Sequence, residues 1–248
     1  MLKGKRIVLG LLVLGSVLLL AGCGTSLQTV RGNGVVTDTA VPLDGSFDRI
    51  VSQGSFDVIL TNEPSDSLLF QIDENLLSYV DLDVRISGTT LYLSTRSVNN
   101  QGMSPTVFQF RVGAADLTAV SLMGSGSIRS DGVIRAEAFE VSVMGSGDVR
   151  LEVDIADNLD AMVGGSGELV LSGAANHVHV TVSGSGTANL REVPVETGVV
   201  TVSGSGVARV YVSDDLTATV SGSGDVFYYG DPQRVTRTIT GSGAIRGR

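Results

Sequence analysis

The three residues Gly-Ser-Gly recur seven times between residues 124 and 243, and their first glycines are separated by 18 to 21 residues. A fixed period of this length indicates a repeat architecture, in which each unit packs only on its neighbours. Glycine suits a sharp corner because it adopts positive φ without a side-chain clash. The first glycines are Gly124, Gly145, Gly165, Gly184, Gly204, Gly222 and Gly241.

Apolar residues alternate with polar ones on both sides of each corner. Two residues before it stand Leu122, Val143, Val163, Val182, Val202, Val220 and Ile239. Four residues before it stand Val120, Val141, Ala161, Val180, Val200, Ala218 and Arg237, of which only the arginine is polar. Four residues after it stand Ile128, Val149, Leu169, Ala188, Ala208, Val226 and Ile245. Alternation with a period of two predicts strands with one buried face.

Strand, corner, strand and a looser return therefore make one coil of about 20 residues. Coils of this kind stack about 4.8 Å apart, so the pattern predicts an all-β fold, a parallel β-solenoid with internal columns of valine. An antiparallel sandwich is the alternative, although it does not require one corner seven times. The outward threonines Thr181, Thr201, Thr219 and Thr238 fit the solenoid. We expect the corner serines to hydrogen-bond the corner backbone rather than a ligand.

The first 22 residues have the organisation of an export signal, with Lys3, Lys5 and Arg6 before the apolar run 7–22. That run is short for a membrane span of about 20 residues. It ends at Cys23, the only cysteine, and "LLAGC" resembles the lipobox of bacterial lipoproteins. The resemblance implies cleavage before Cys23 and acylation of its thiol. Residues 1–22 are thus the predicted signal peptide, and 23–40 the lipidated cysteine and its tether.

Charge and composition exclude several classes of function. The chain has 17 basic and 26 acidic residues, a net charge of −9, which becomes −12 without the three basic residues before Cys23. A nucleic-acid partner would need a basic face, so none is expected. Tryptophan is absent and aromatic residues make up 5%, which leaves few platforms for stacking sugars or bases. No phosphate-binding loop or other cofactor motif is present, and we expect no cofactor.

The N-terminal half lacks the corner repeat but is also rich in strand patterns. "FDRI" at 47–50, "GSFDVIL", "NLLSYVDLDVRISGTTLYL" and "TAVSLMGSGSI" together resemble the head GIN domain family, over roughly residues 40–245. Proteins of that family are described as adhesin-like and are often exported bacterial lipoproteins. The resemblance implies a right-handed single-stranded parallel β-helix and supplies no catalytic residues. We therefore predict one continuous domain over residues 41–248.

Two carboxylates are the first candidate ligand-binding pair. Asp148 and Glu168 each stand three residues after a corner glycine, so they are expected on neighbouring coils about 5 Å apart. A pair this close could bind Ca²⁺ or raise the pKa of one member. Two solvated surface acids are the alternative interpretation.

The only histidines of the chain form the second candidate. His177 and His179 are expected on one outward face, with Asp160 beside His179 on the preceding coil. Two histidines and a carboxylate can hold zinc. Surface histidines without a metal are the alternative, and we predict no metal site.

These observations predict a lipid-anchored β-solenoid of the cell envelope that has a binding, adhesion or structural role and no catalysis. A glycan-binding or glycan-degrading β-helix is the alternative, and an accessible groove with carboxylates would favour it. The partners expected are the membrane, through the lipid, and an envelope protein or glycan. The predicted location is the outer membrane of a Gram-negative cell, or otherwise the extracellular face of the cell membrane. We expect a monomer, because Arg234, Arg237, Arg246 and Arg248 protect the last strand edge; docking of these arginines on an acidic partner is the alternative.

Overall fold

The computed structural model describes residues 29–63 and 65–248, and most of them lie in strands that wind into a β-solenoid. The predicted signal peptide and Cys23 lie outside the described residues. Within the described part, no helix has the length and apolar character needed to cross a bilayer. The strands are β1 (Val30–Arg31), β2 (Val36–Pro42), β3 (Arg49–Gln53), β4 (Asp57–Thr61), β5 (Ser67–Asp73), β6 (Val80–Ser87), β7 (Thr90–Ser97), β8 (Met103–Ser104), β9 (Phe108–Gly113), β10 (Ala119–Leu122), β11 (Ser127–Ala136), β12 (Phe139–Val143), β13 (Asp148–Val163), β14 (Glu168–Val182), β15 (Thr187–Val202), β16 (Val207–Gly222), β17 (Asp225–Tyr229), β18 (Arg234–Gly241) and β19 (Ala244–Gly247). Two 3₁₀ helices cover Glu74–Tyr79 and Val98–Asn100.

Each coil has two flat faces that meet at the Gly-Ser-Gly corner. The first face contains the strand residues before each corner, from β7 and β3 through β10 and β12 to β18. The second face contains the residues after each corner, from β9 and β4 through β11 to β19. A return segment connects the second face to the first. Strand pairing is parallel throughout the repeat, which confirms the predicted solenoid and makes the sandwich alternative wrong.

The corners are joined to one another by backbone hydrogen bonds. The carbonyl oxygen of Gly145 accepts N–H bonds from Ser166 at 3.1 Å and from Gly167 at 3.2 Å, both on the next corner. The same two bonds recur at every corner from Gly54, which serves as the first acceptor, up to the last. One carbonyl oxygen therefore satisfies two N–H groups that a sharp turn would otherwise leave without partners.

Close stacking, rather than positive φ, is why most corners require glycine. A Cβ atom on Gly165 would lie 2.0 Å from the carbonyl oxygen of Gly145. Among the corner glycines only Gly222 and Gly241 have positive φ, so the expectation of a left-handed backbone is wrong for the others. The hydroxyl groups of the corner serines are exposed and form no hydrogen bond with any other described residue, which contradicts their predicted role at the corner backbone.

The predicted internal columns are present in the predicted register. Val182 lies beside Val202, and Val200 beside Ala218, and all four side chains are buried. The columns end at the last coil, where Ile239 is 47% exposed although it occupies an inward position. Arg237, the one polar residue in its column, lies over the ring of Tyr228 and donates a hydrogen bond to the Tyr228 hydroxyl. The tyrosine and the arginine thus cover part of the core at this end.

The return segments absorb the variation in coil length. Pairing between neighbouring coils shifts register at Ile155/Asn158, at Val170/Ser172 and at Leu190/Pro194, always away from the corner. A bulge of this kind places extra residues in one strand without moving the flanking pairs. Steps of 18 to 21 residues are therefore compatible with corners that stack without offset.

The N-terminal end is closed by antiparallel strands. β5 pairs antiparallel with both β2 and β9, and β6 pairs antiparallel with β7. Four phenylalanines, which are Phe56, Phe70, Phe108 and Phe110, fill the core there with ring centroids 4.8–5.9 Å apart. Strands β1 and β2 belong to this end, so residues 30–40, which the sequence analysis places in the tether, lie within the folded part.

One buried carboxylate joins the N-terminal strands to the first coils. Asp73 is fully buried and accepts hydrogen bonds from the Gly34 N–H at 2.7 Å, the Thr106 N–H at 2.6 Å and the Thr106 hydroxyl at 2.7 Å. Burial alone would raise the pKa of Asp73, but the bonds from Thr106, Gly34 and Val107 outweigh it and lower the pKa to about 2. The charged form is therefore the one that the fold stabilises.

We expect Gly165→Ala to destabilise the solenoid by about 1–3 kcal/mol, because the new methyl group overlaps the Gly145 carbonyl oxygen. Ser166→Ala is the matched control: its hydroxyl is exposed, and the change should cost less than about 0.5 kcal/mol. Denaturant unfolding of both variants measures the difference. Equal stability would show that corner stacking does not restrict the residue at this position.

We expect Asp73→Asn to lower the free energy of unfolding at neutral pH by about 2–4 kcal/mol, because an amide group faces buried N–H donors. The folded-state pKa is below the ordinary value of 3.8, so the stabilisation is complete above pH 3.8. It is lost as the pH falls towards about 2, and the difference between wild type and variant should shrink over that range. Asp38→Asn, at an exposed carboxylate that accepts from Gln71, is the control and should change stability little at any pH. A difference for Asp73→Asn that persists unchanged at pH 2 would contradict the assignment.

Candidate functional site

A groove runs along the N-terminal half of the first face and over the return segments that lead into it. It consists of three adjoining cavities of about 620, 400 and 150 Å³, and Glu140 lines all three. Arg49 lines the first two, and Asp160 lines the first and the third. The groove crosses six strands, from Tyr92 on β7 to His179 on β14. At the strand spacing of a sheet this corresponds to roughly 24 Å.

Polar side chains from different coils pair along this groove. Arg49 Nη2 lies 2.7 Å from Glu140 Oε2, although the two residues are 91 positions apart in the sequence. His179 Nδ1 lies 3.4 Å from Asp160 Oδ1 on the adjacent strand. Both pairs are about half exposed, so they present polar groups to a ligand rather than stabilise the core.

Exposed methionines border the charged row. Met123, Met144 and Met162 expose 52%, 47% and 40% of their surface. Met144 extends over Gly164, where a Cβ atom would lie 3.0 Å from its sulfur. Methionine is flexible and polarisable, and it is common on surfaces that accept partners of varied shape. The N-terminal half of the first face therefore combines an apolar strip with a charged strip.

The C-terminal half of the same face is different. Its outward positions carry the predicted threonines, with Thr181 beside Thr201, Thr201 beside Thr219, and Thr219 beside Thr238. This part of the face has small hydroxyl side chains and lies beyond the cavities that form the groove, apart from Thr181 at its edge. The face is thus divided into a grooved half and a flat half.

The structure separates the three residues that the sequence suggests as zinc ligands. Asp160 and His179 are neighbours, as the register predicts. His177 has other partners: its Nε2 lies 3.7 Å from Asp157, and its Nδ1 forms a 2.7 Å hydrogen bond with the hydroxyl of Thr197. Among the described residues, no three His, Cys, Asp or Glu side chains are arranged to hold a metal ion.

Asp148 and Glu168 lie beside each other on the second face, as the register predicts. Arg150 lies between their carboxylates, 3.4 Å from Asp148 Oδ2 and 2.8 Å from Glu168 Oε2. The guanidinium supplies the positive charge that a calcium ion would otherwise bring. Arg150 was not among the residues predicted from the sequence, although its position two residues after Asp148 places it on the same face.

The grooved half of the first face was also absent from the sequence-based candidates. Its charged pairs join residues of different coils, and no local motif marks them. A signal was nevertheless available, because Met123 and Met144 stand directly before corner glycines, where the alternation assigns an outward side chain. Large apolar residues at outward positions indicate a binding surface.

The model of one protein family matches residues 46–232, and that family is described as "Putative auto-transporter adhesin, head GIN domain". The chain belongs to this family. The match covers the antiparallel end from β3 onward, the groove and most of the corner repeats, and it confirms the resemblance stated above. No protein of curated function matches the chain significantly.

Several solved structures have the same fold. A "putative adhesin" from Bacteroides fragilis superposes with a TM-score of 0.78 at 17% identity, over 88% of this chain and 100% of the other. A "putative lipid binding protein" from Parabacteroides distasonis gives 0.70 at 26% identity, over 89% and 100%. A "putative adhesin" from Parabacteroides merdae gives 0.67 at 21% identity, over 89% and 99%. The adhesin description of the family suggests a cell-surface or envelope protein.

Proposed function

We propose that this head GIN domain protein is a lipid-anchored component of the cell envelope that binds an extended partner along the groove of the first face, without catalysis. The observation that carries the proposal is the groove itself, in which three adjoining cavities share Glu140. The length of about 24 Å suits a chain-like ligand rather than a small molecule. Membership of an adhesin-like family agrees with a binding role.

The chemistry of the groove indicates an amphipathic partner. Met123 and Met162 line the groove, and Met144, which extends over Gly164, continues the apolar strip beside it; this strip offers contact that adapts to shape. The pairs Arg49–Glu140 and His179–Asp160 offer donors and acceptors about half exposed to solvent. An extended polypeptide of an envelope protein meets both requirements, because its side chains alternate between its two sides. The "putative lipid binding protein" among the structural relatives makes an acyl chain on the methionine strip a further ligand to test.

The proposed anchor holds the antiparallel end of the solenoid near the membrane. Cys23 precedes β1 by only six residues, so a lipid on its thiol keeps the first coils close to the bilayer surface. Two or three acyl chains hold a protein stably, since each buried methylene contributes about 0.8 kcal/mol. On this proposal the grooved half of the first face is membrane-proximal, at the outer membrane of a Gram-negative cell or the extracellular leaflet of the only membrane.

We expect Cys23→Ser to leave the protein without lipid and with its first 22 residues attached, because acylation requires the thiol. Metabolic labelling with a fatty-acid probe should mark the wild type and not the variant. Ser26→Ala, a small change in the proposed tether, is the control and should be labelled like the wild type. Equal labelling of the wild type and Cys23→Ser would contradict the anchor.

We expect Met144→Glu to reduce capture of the envelope partner by about tenfold, because it places a charge in the apolar strip. Val170→Glu introduces the same side chain at an outward position of the second face and serves as the matched control. Pull-downs from detergent-solubilised envelope with the full-length protein compare the wild type with both variants. Equal loss in both variants, or in neither, would rule out the groove as the binding surface.

Glycan binding is the second candidate, and the carboxylates of the groove favour it. Glu140 and Asp160 are accessible, and Tyr92 adds an aromatic ring at one end. An accessible carboxylate groove was the feature expected of a glycan-binding β-helix. Co-sedimentation with purified cell-wall polysaccharide, with assay of released reducing ends, separates glycan binding from glycan cleavage and from binding of a protein.

A further inference from the structure

The arginines without an acidic partner are concentrated at one end of the solenoid. Nine of the fourteen arginines in the described part of the chain form ion pairs with a carboxylate. Five do not: Arg31, Arg191, Arg209, Arg237 and Arg248. Apart from Arg31, each of these lies over an aromatic ring of the run Phe227–Tyr228–Tyr229.

Three guanidiniums surround the ring of Phe227 on the second face. The Cζ atoms of Arg248, Arg209 and Arg246 lie 4.9, 5.7 and 5.9 Å from the ring centroid. Arg209 and Arg246 are the direct neighbours of Phe227 in the strand ladder. The backbone of Arg248 is held by a hydrogen bond from its N–H to the Tyr228 carbonyl oxygen at 2.9 Å. We call Arg209, Phe227, Arg246 and Arg248 the Phe227 cluster.

The Phe227 cluster has more positive charge than its surroundings neutralise. Among the described residues, Asp225 is the only carboxylate that pairs with it, at 3.6 Å from Arg246 Nη1. Elsewhere on the second face, Arg150 occupies the same column as Arg209 but lies between Asp148 and Glu168. Val207 stands where Arg150 has Asp148, and Asp225 stands where Arg150 has Glu168. Asp225 pairs with Arg246 instead, so Arg209 has no acidic partner among the described residues.

Charge along the chain follows the same division. Residues 29–204 contain nine arginines and 22 acidic residues, a net charge of −13, whereas residues 205–248 contain five arginines and four acidic residues, a net of +1. Like charges held close together raise the free energy of the unliganded surface, and an anion relieves that repulsion. Cation–π attraction to the ring of Phe227 holds the guanidiniums in place. Because they are already ordered, less conformational entropy is lost when a ligand binds.

We propose that the Phe227 cluster is a binding site for phosphate groups. The paired N–H donors of a guanidinium match the spacing of phosphate oxygens. The three guanidiniums around Phe227 can contact one phosphate dianion or successive groups of a phosphate-linked polymer. Phe227 lies six coil steps from β4, a distance of about 29 Å along the axis. The site is independent of the groove on the first face, because the two share no residue.

Titration calorimetry of the full-length protein with inorganic phosphate and with linear polyphosphate tests the proposal. We expect polyphosphate to bind more tightly than phosphate, and affinity to fall as salt rises. Arg209→Gln combined with Arg248→Gln should weaken polyphosphate binding by about tenfold or more. Phe227→Leu should weaken it by about threefold to tenfold. Arg150→Gln removes an arginine of the same column that already has acidic partners, and it should change the affinity by less than about twofold.

Two further arms identify the source and the specificity of the phosphate. In the first arm, the protein is held in phosphatidylcholine nanodiscs and floated with vesicles of phosphatidylglycerol or, as a control, of phosphatidylcholine. Co-flotation with the phosphatidylglycerol vesicles alone shows that lipid headgroups occupy the site. Binding in this arm that the double variant abolishes assigns the site to lipid phosphate, whereas polyphosphate binding alone assigns it to phosphate on a soluble or polymeric carrier. Met144→Glu should bind polyphosphate like the wild type, which separates this site from the groove.

Three results would overturn the proposal. The first is a wild type that binds neither probe at low salt. The second is an equal loss of affinity in the double variant and in Arg150→Gln, which would indicate a general electrostatic effect. The third is polyglutamate bound as tightly as polyphosphate, which would make the cluster an unspecific anion surface. Thermal unfolding of each variant confirms that a loss of affinity does not come from a loss of fold.

Discussion

Two hydrogen bonds to one carbonyl oxygen determine the architecture of this protein. At each corner the first glycine accepts N–H bonds from the serine and second glycine of the next corner. The geometry brings the backbones so close that a single Cβ atom at Gly165 would lie 2.0 Å from the oxygen below. Because neighbouring corners approach so closely, both glycine positions of a corner exclude a residue with a side chain. The flat faces, the internal columns and the groove all depend on corners that stack without offset.

How much of this was predictable depends on whether a feature repeats. Alternation around seven corners was enough to assign Val182 and Val202 to the core and Thr181 and Thr201 to the surface. The antiparallel end has no repeat, and its pairing joins residues such as Asp38 and Gln71 that no local pattern connects. The physical role of the corner residues was also misjudged, because close approach between coils is not visible in the residues of one coil.

The candidate sites show the same limit. Register alone placed Asp148 beside Glu168 and Asp160 beside His179. Register did not show which other side chains compete for those groups, such as Arg150 between the two acids and Thr197 at His177. The groove depends on contacts across 91 residues, as in the pair Arg49–Glu140, and such a contact becomes predictable only after the number of intervening coils is known.

The return segments give this fold an adjustable length. Register shifts at Ile155/Asn158 and Leu190/Pro194 absorb differences in coil length without disturbing the corners on either side. Because each coil contacts only its neighbours, one inserted coil would lengthen the molecule by about 4.8 Å and leave both ends intact. The distance between the groove and the Phe227 cluster can therefore change only in whole coils, by duplication or deletion of a repeat.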